Sequence, residues 1–259
     1  ANPISADMSV MRTSLWPGLL QTVRQNQARQ QERVRVFESG LRFIRQTDEI
    51  IQESMLSAVV TGSALEEQWG AQSRPVDFFD LKADLEAVLA LTGCLQQFTV
   101  APGEHPALHP GQSARIERGS EDVGWIGMLH PAIGKRLDLG GNAYLFEIRL
   151  DALQNGALPA FEPLSKYPSI RRDLAITVDR AVSWQQIQAC VASAAPEILK
   201  DISLFDVYTG EKIDSGRKSL ALGLILQASS HTLTDEHVED TVSAVLKRLE
   251  SEFDARLRD

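Results

Sequence analysis

The chain has 259 residues, 43% hydrophobic and 24% charged, with a formal net charge of −9. That composition fits a folded globular protein, no apolar run approaches the ~18 residues of a membrane span, and the acidic balance argues against a generic nucleic-acid binder. The charge is uneven, because residues 166–219 hold 8 basic against 7 acidic side chains, whereas residues 1–165 hold 14 against 20 and residues 220–259 hold 4 against 8.

The opening Ala1-Asn2-Pro3-Ile4-Ser5 lacks the basic and apolar regions of a signal peptide and an initiator Met, so the chain reads as a fragment. Pro17 suits a helix start, with Leu19, Leu20 and Val23 along one side. Residues 34–38 alternate as a strand and 55–61 read as another. Residues 77–91 predict a helix with Phe78, Leu81, Leu85, Val88 and Leu89 inward. Strands follow at 97–101, 114–117, 124–129 and 143–150. Few of the connections look like parallel crossovers, so a mainly antiparallel sheet with flanking helices is expected.

Three prolines and one glycine between 154 and 168 mark a linker. The expected division is 1–155, a linker at 156–165, and 166–259. The second part opens with a strand at 174–178 and a helix at 184–194 that Ser183 caps. A strand at 202–208, a polar hairpin at 209–219 and a return strand at 220–226 follow. Thr234 caps a last helix with Val238, Val242, Val245, Leu246, Leu249 and Phe253 on one face, before a short strand at 255–258. The order β-α-β-β-α-β is ferredoxin-like, and the whole chain is α+β.

Chemistry-bearing residues are sparse. Cys94 and Cys190 lie far apart without a CxxC context, which predicts two reduced thiols and no zinc site. Glu104, His105 and His109 sit in a Pro/Gly-rich loop where no helix sets ligand geometry, so a loop outweighs a metal site. His130 before Pro131 reads as a turn element rather than a base. Gly62-Ser63 lacks the context of a nucleophile elbow. Arg171-Arg172, taken alone, reads as a solvated pair at a strand edge.

Six ordered segments resemble one family, the bacterial phenylalanyl-tRNA synthetase β subunit. They are Asn2-Pro3-Ile4-Ser5 with Met11-Arg12-Thr13-Ser14-Leu15; Phe78-Phe79-Asp80-Leu81-Lys82-Ala83-Asp84-Leu85-Glu86; Gly127-Met128-Leu129-His130-Pro131; Tyr167-Pro168 with Arg171-Arg172-Asp173-Leu174-Ala175; Phe205-Asp206-Val207-Tyr208; and Thr232-Leu233-Thr234-Asp235. The resemblance implies the C-terminal part of that subunit: a class II synthetase-like antiparallel sheet with flanking helices, then a ferredoxin-like anticodon-binding domain. It also implies a cytoplasmic enzyme that uses ATP and magnesium, and an α2β2 assembly with an α subunit. No membrane contact is expected, nor any cofactor in this part.

Two departures from the catalytic relatives suggest a silent site with no catalytic residue. In place of a glycine-rich strand ending in arginine stands Tyr144-Leu145-Phe146-Glu147-Ile148-Arg149-Leu150, whose bulky side chains would keep ATP off the backbone. The region 34–40 is followed by a return strand near 55–61 without arginine. The first part is therefore expected to support subunit assembly. The second is expected to bind the anticodon stem-loop of phenylalanine tRNA. There Tyr208 would stack on a base and Asp206 would read a guanine edge, with Val207 turned into the core. Arg171, Arg172, Lys212, Arg217 and Lys218 would contact phosphate. The rival readings are an amino-acid-sensing regulatory protein on a ferredoxin-like scaffold and a self-sufficient ligase.

Overall fold

The computed structural model describes residues 9–47, 49–158, 161, 163–210 and 213–258. The chain divides into two compact units, Ala1–Ala160 and Phe161–Asp259. Segment 2–5 and Lys212 lie outside the described residues.

In the first unit, α1 (Trp16–Gln27) and α2 (Phe78–Ala90) flank a six-stranded sheet. Its strands are β1 (Val34–Gln46), β2 (Glu49–Thr61), β3 (Phe98–Pro102), β4 (Leu108–Arg118), β5 (Glu121–Leu129) and β6 (Ala143–Arg149), with short helices α3 (Pro131–Arg136) and α4 (Asp151–Gln154) beside them. The order is β1-β2-β6-β5-β4-β3, antiparallel throughout. Alternation on β6 explains the two cores. Ala143 and Leu145 join Val59, Trp16 and Val23 on the α1 side, while Tyr144, Phe146 and Ile148 join Ile126, Leu81 and Leu85 on the α2 side. A strand buried on both faces reads as an apolar run, as 143–146 does, with Glu147 the one charged residue buried after it.

The strands β1 and β2 run much further than the expected 34–38 and 55–61, pairing from Val34↔Thr61 to Gln46↔Glu49. Their outer halves carry Arg42, Arg45, Gln52 and Glu53, a polarity that hides a strand from a pattern search. The start of α2 is a capping box: Asp77 accepts from the Phe79 and Asp80 amides, and Asp80 accepts from the Asp77 amide at 2.9 Å.

The second unit holds β7 (Ile170–Asp179), α5 (Trp184–Ala194), β8 (Leu199–Tyr208), β9 (Arg217–Leu226), α6 (Asp235–Phe253) and β10 (Arg256–Leu257). Its sheet order, β10-β7-β9-β8, is that of a ferredoxin-like fold. Leu220, Leu222, Leu224 and Leu226 point to one side, where Ile187, Cys190 and Val191 of α5 and Val238, Val245 and Leu249 of α6 bury them. Ser183 caps α5 and Thr234 caps α6.

Candidate nucleic-acid interface

The helices of the second unit cover one face of its sheet, and register decides which side chains take the other. Arg171↔Ile225, Asp173↔Gly223, Ala175↔Ala221 and Thr177↔Ser219 alternate with the leucine rows, so they stand on the face away from the helices. On β8, Asp206 pairs with Ala221 and Tyr208 with Ser219, which puts both on this open face. Arg256 of β10 pairs with Thr177 and joins them.

A bulge changes the reading of β8. Leu204 pairs with Leu222, yet Asp206 pairs with Ala221, so one extra residue, Phe205, is inserted. Phe205 is 53% exposed, and the Arg171 guanidinium lies 5.4 Å from its ring centroid. Gly223 makes that reach possible, because a Cβ there would lie 3.0 Å from an Arg171 guanidinium nitrogen. Val207, expected in the core, is instead 51% exposed. It shares the row of buried Leu220 but sits on an edge strand with a neighbour on one side only.

Tyr208 is half-buried and carries Arg258 5.2 Å above its ring. Arg258 also donates to Ser219 Oγ at 3.3 Å. Gly210 lies against the tyrosine hydroxyl so closely that a Cβ would come within 2.2 Å of it. Asp206 is exposed and makes no side-chain hydrogen bond or ion pair among the described residues. The open face thus presents a free carboxylate beside two aromatic rings, each with an arginine on it. A carboxylate can accept from both donors on a guanine edge, and aromatic rings stack on bases.

Of the other predicted basic residues that the structure describes, none stands free on that face. Arg172 alternates to the helix side and lies 3.7 Å from Asp235. Arg217 pairs with Asp254 at 2.9 Å and donates to the backbone oxygens of Thr177 and Asp254. Lys218 pairs with Val178 on the helix side and donates to the Arg180 carbonyl at 3.1 Å, with burial lowering its pKa. Phe205, Arg256 and Arg258, which also lie on this face, were not singled out from the sequence. The first was hidden by the bulge, the other two by the shortness of β10.

In the first unit, a cleft of about 540 Å³ lies where the synthetase chemistry was sought. Glu147, 6% exposed, accepts from the Leu15 amide at 2.7 Å and from Ser14 Oγ at 3.1 Å. Arg42 of β1, an arginine the strand prediction stopped short of, bonds Glu53 at 2.7 Å and Glu147 at 3.4 Å. Arg149 is held by Glu121 and Asp151. Both arginines of the cleft are therefore occupied by carboxylates, an arrangement that does not fit a nucleotide triphosphate or its magnesium. His130 Nδ1 accepts from the Ala132 amide and caps α3, while His105 and His109 accept from the Ala107 and Gly111 amides. Among the described residues no three His, Cys, Asp or Glu side chains gather closely enough to hold a metal ion, and no helix is long and apolar enough to cross a membrane.

Comparison with known proteins agrees with both units. Residues 1–150 match the model of the phenylalanyl tRNA synthetase beta chain CLM domain, and residues 165–258 match the ferredoxin-fold anticodon binding domain. The phenylalanine–tRNA ligase beta subunit of Pseudomonas fluorescens is 51% identical over 258 residues, and that of Pseudomonas savastanoi pv. phaseolicola 52%. In both cases the match covers 100% of this chain and 33% of the relative, so the chain spans about a third of their length. Among solved structures, the pyrrolysyl-tRNA synthetase of Desulfitobacterium hafniense is 16% identical with a TM-score of 0.42, over 55% of this chain and 48% of that one. The chain belongs to the phenylalanyl tRNA synthetase beta chain family.

Proposed function

We propose that the chain is the assembly and anticodon-binding part of a cytosolic phenylalanine–tRNA ligase β subunit, working with an ATP- and magnesium-dependent α subunit in an α2β2 enzyme. The observation that carries this reading is the Asp206 carboxylate, without a partner among the described residues, between Phe205 and Tyr208 on the open sheet face. Asp206 accepts hydrogen bonds from a guanine at the start of the anticodon. Phe205 and Tyr208 stack on neighbouring bases, and Arg171, Arg256 and Arg258 meet the RNA backbone. The first unit supplies subunit contacts and performs no adenylation. Its contact surface includes Phe37, Leu41 and Ile50, which are 76%, 38% and 61% exposed on one face of the β1–β2 hairpin.

The test is fluorescence anisotropy of this chain with the anticodon stem-loop of phenylalanine tRNA and with a loop lacking the guanine. Tighter binding of the first RNA, lost in Asp206→Ala, supports the reading. Equal binding of both RNAs by the unchanged chain overturns it.

A further inference from the structure

Asp173 puts a carboxylate on the open face of the second unit's sheet, where a bound RNA would bring negative charge, and guanine recognition by Asp206 leaves it unused. It accepts from Arg171 Nε at 2.7 Å. The two side chains are 53% and 54% exposed, so the pair adds little to stability. Its consequence is geometric.

The strands β7, β9 and β8 are neighbours in that order. Arg171 reaches from β7 across β9 to Phe205 on β8, where its guanidinium carbon lies 5.4 Å from the ring centroid. Gly223 of β9, the register partner of Asp173, lies under that path. A Cβ there would stand 3.0 Å from Arg171 Nη2 and 2.8 Å from Ser203 Oγ. An arginine side chain left to itself samples many rotamers. The bond from Nε to Asp173 selects one that lays the guanidinium on the ring, and it leaves the terminal nitrogens without a partner among the described residues. Phe205 is still 53% exposed with the guanidinium in place, so ring surface remains for a base.

We propose that Asp173 is a positioning residue for RNA, a role that rests on the open face being the RNA site. It holds Arg171 against Phe205, and the backed ring grips a base by its face. Every base has a π-face, so this platform adds affinity without choosing among bases. Asp206, beside it, does the choosing.

Charge and geometry predict opposite outcomes for Asp173→Ala. Removing a carboxylate from an RNA-binding face strengthens binding, most of all at low salt. Losing the position of Arg171 weakens it. The test is fluorescence anisotropy of the full chain at low salt, with the stem-loop that carries the guanine and with the loop that lacks it. Asp173→Ala is expected to weaken both RNAs by a similar factor, about three- to tenfold, and to leave their affinity ratio unchanged. Gly223→Ala changes no charge and should have the same effect by crowding Arg171. In a Phe205→Leu background, Asp173→Ala should no longer weaken binding. Thermal unfolding of Asp173→Ala should match that of the unchanged chain. Tighter or unchanged binding in Asp173→Ala overturns the proposal. So does an equal loss with and without the Phe205 ring. Guanine recognition by Asp206 fails on a different result, equal binding of both RNAs by the unchanged chain.

Discussion

At position 206 a carboxylate stands in solvent without a partner among the described residues, and its neighbours determine what it can do. Tyr208→Ala removes a stacking ring, so RNA binding should weaken by about 1–3 kcal/mol with little change in base preference. Asp206→Ala should chiefly relax the preference for guanine, measured as the ratio of affinities for the two stem-loops. Gly210→Ala tests the geometry of the ring rather than its chemistry. The added Cβ would meet the tyrosine hydroxyl at 2.2 Å, so the ring must swing away. Its flexible end can yield, hence thermal stability should barely move while RNA binding falls towards that of Tyr208→Ala. Among the cations, Arg256 is 65% exposed, and among the described residues its guanidinium has only Asp254, at 3.4 Å. Arg256→Ala should lower the slope of log affinity against log salt by about 0.7–0.9, the share of one phosphate. Lys218→Ala, whose ammonium serves the Arg180 carbonyl, should leave that slope unchanged. Arg217→Ala belongs with stability instead. It cuts the ties from β9 to Thr177 and Asp254, and urea unfolding should register a loss of about 1–3 kcal/mol.

Elements carry their own signatures. The start of α2 rests on two aspartates, and Arg74 donates to both oxygens of Asp80 at 2.6 and 2.7 Å. That ion pair and the Asp77 amide hold the Asp80 carboxyl at about 2, below its ordinary 3.8. A depressed folded value means the stabilisation is fully present above the unfolded value and lost as pH falls from about 4 towards 2. Thermal unfolding followed between pH 5 and 2 should therefore show a shallower acid decline in Asp80→Asn than in the unchanged chain. A parallel decline in both would remove Asp80 from the account. The same element shows what could be read in advance. Asp77 before Phe78, with Asp80 three residues on, announces a helix start from sequence, and the strong period of Leu81, Leu85 and Leu89 announces its buried side. The ion pair with Arg74 was invisible, because Arg74 arrives from an irregular loop.

For the molecule as a whole, the proposed function assigns the two units different tasks. Each arginine of the first unit's cleft already faces two carboxylates, so adding ATP would place like charges together without an unpaired cation to meet them. No phenylalanine-dependent ATP–pyrophosphate exchange is expected from the purified chain, and exchange that survived removal of contaminating enzyme would contradict this. Assembly should depend on the hairpin instead. Phe37→Asp with Ile50→Asp adds charge to an exposed apolar face, so folding should persist while co-purification with a catalytic subunit is lost.

The sequence determined the order of the long helices and strands, the α+β class and the family, because these rest on periodicity, capping residues and ordered motifs that each span a few positions, whereas the short helices at 131–136 and 151–154 went unread. It also placed Asp206 and Tyr208 on one strand. Tertiary structure decided the rest. Pairing with β9 revealed the bulge that turns Phe205 outward, and the return of β10 beside β7 brought Arg256 and Arg258 from the chain's end to the same face. The separation of Arg171 from Arg172, and the occupation of Arg42 and Arg217 by carboxylates, also appeared only with the fold. A sequence shows which charges exist. Which of them remain free depends on partners that can lie more than a hundred residues away, as Arg42 and Glu147 do.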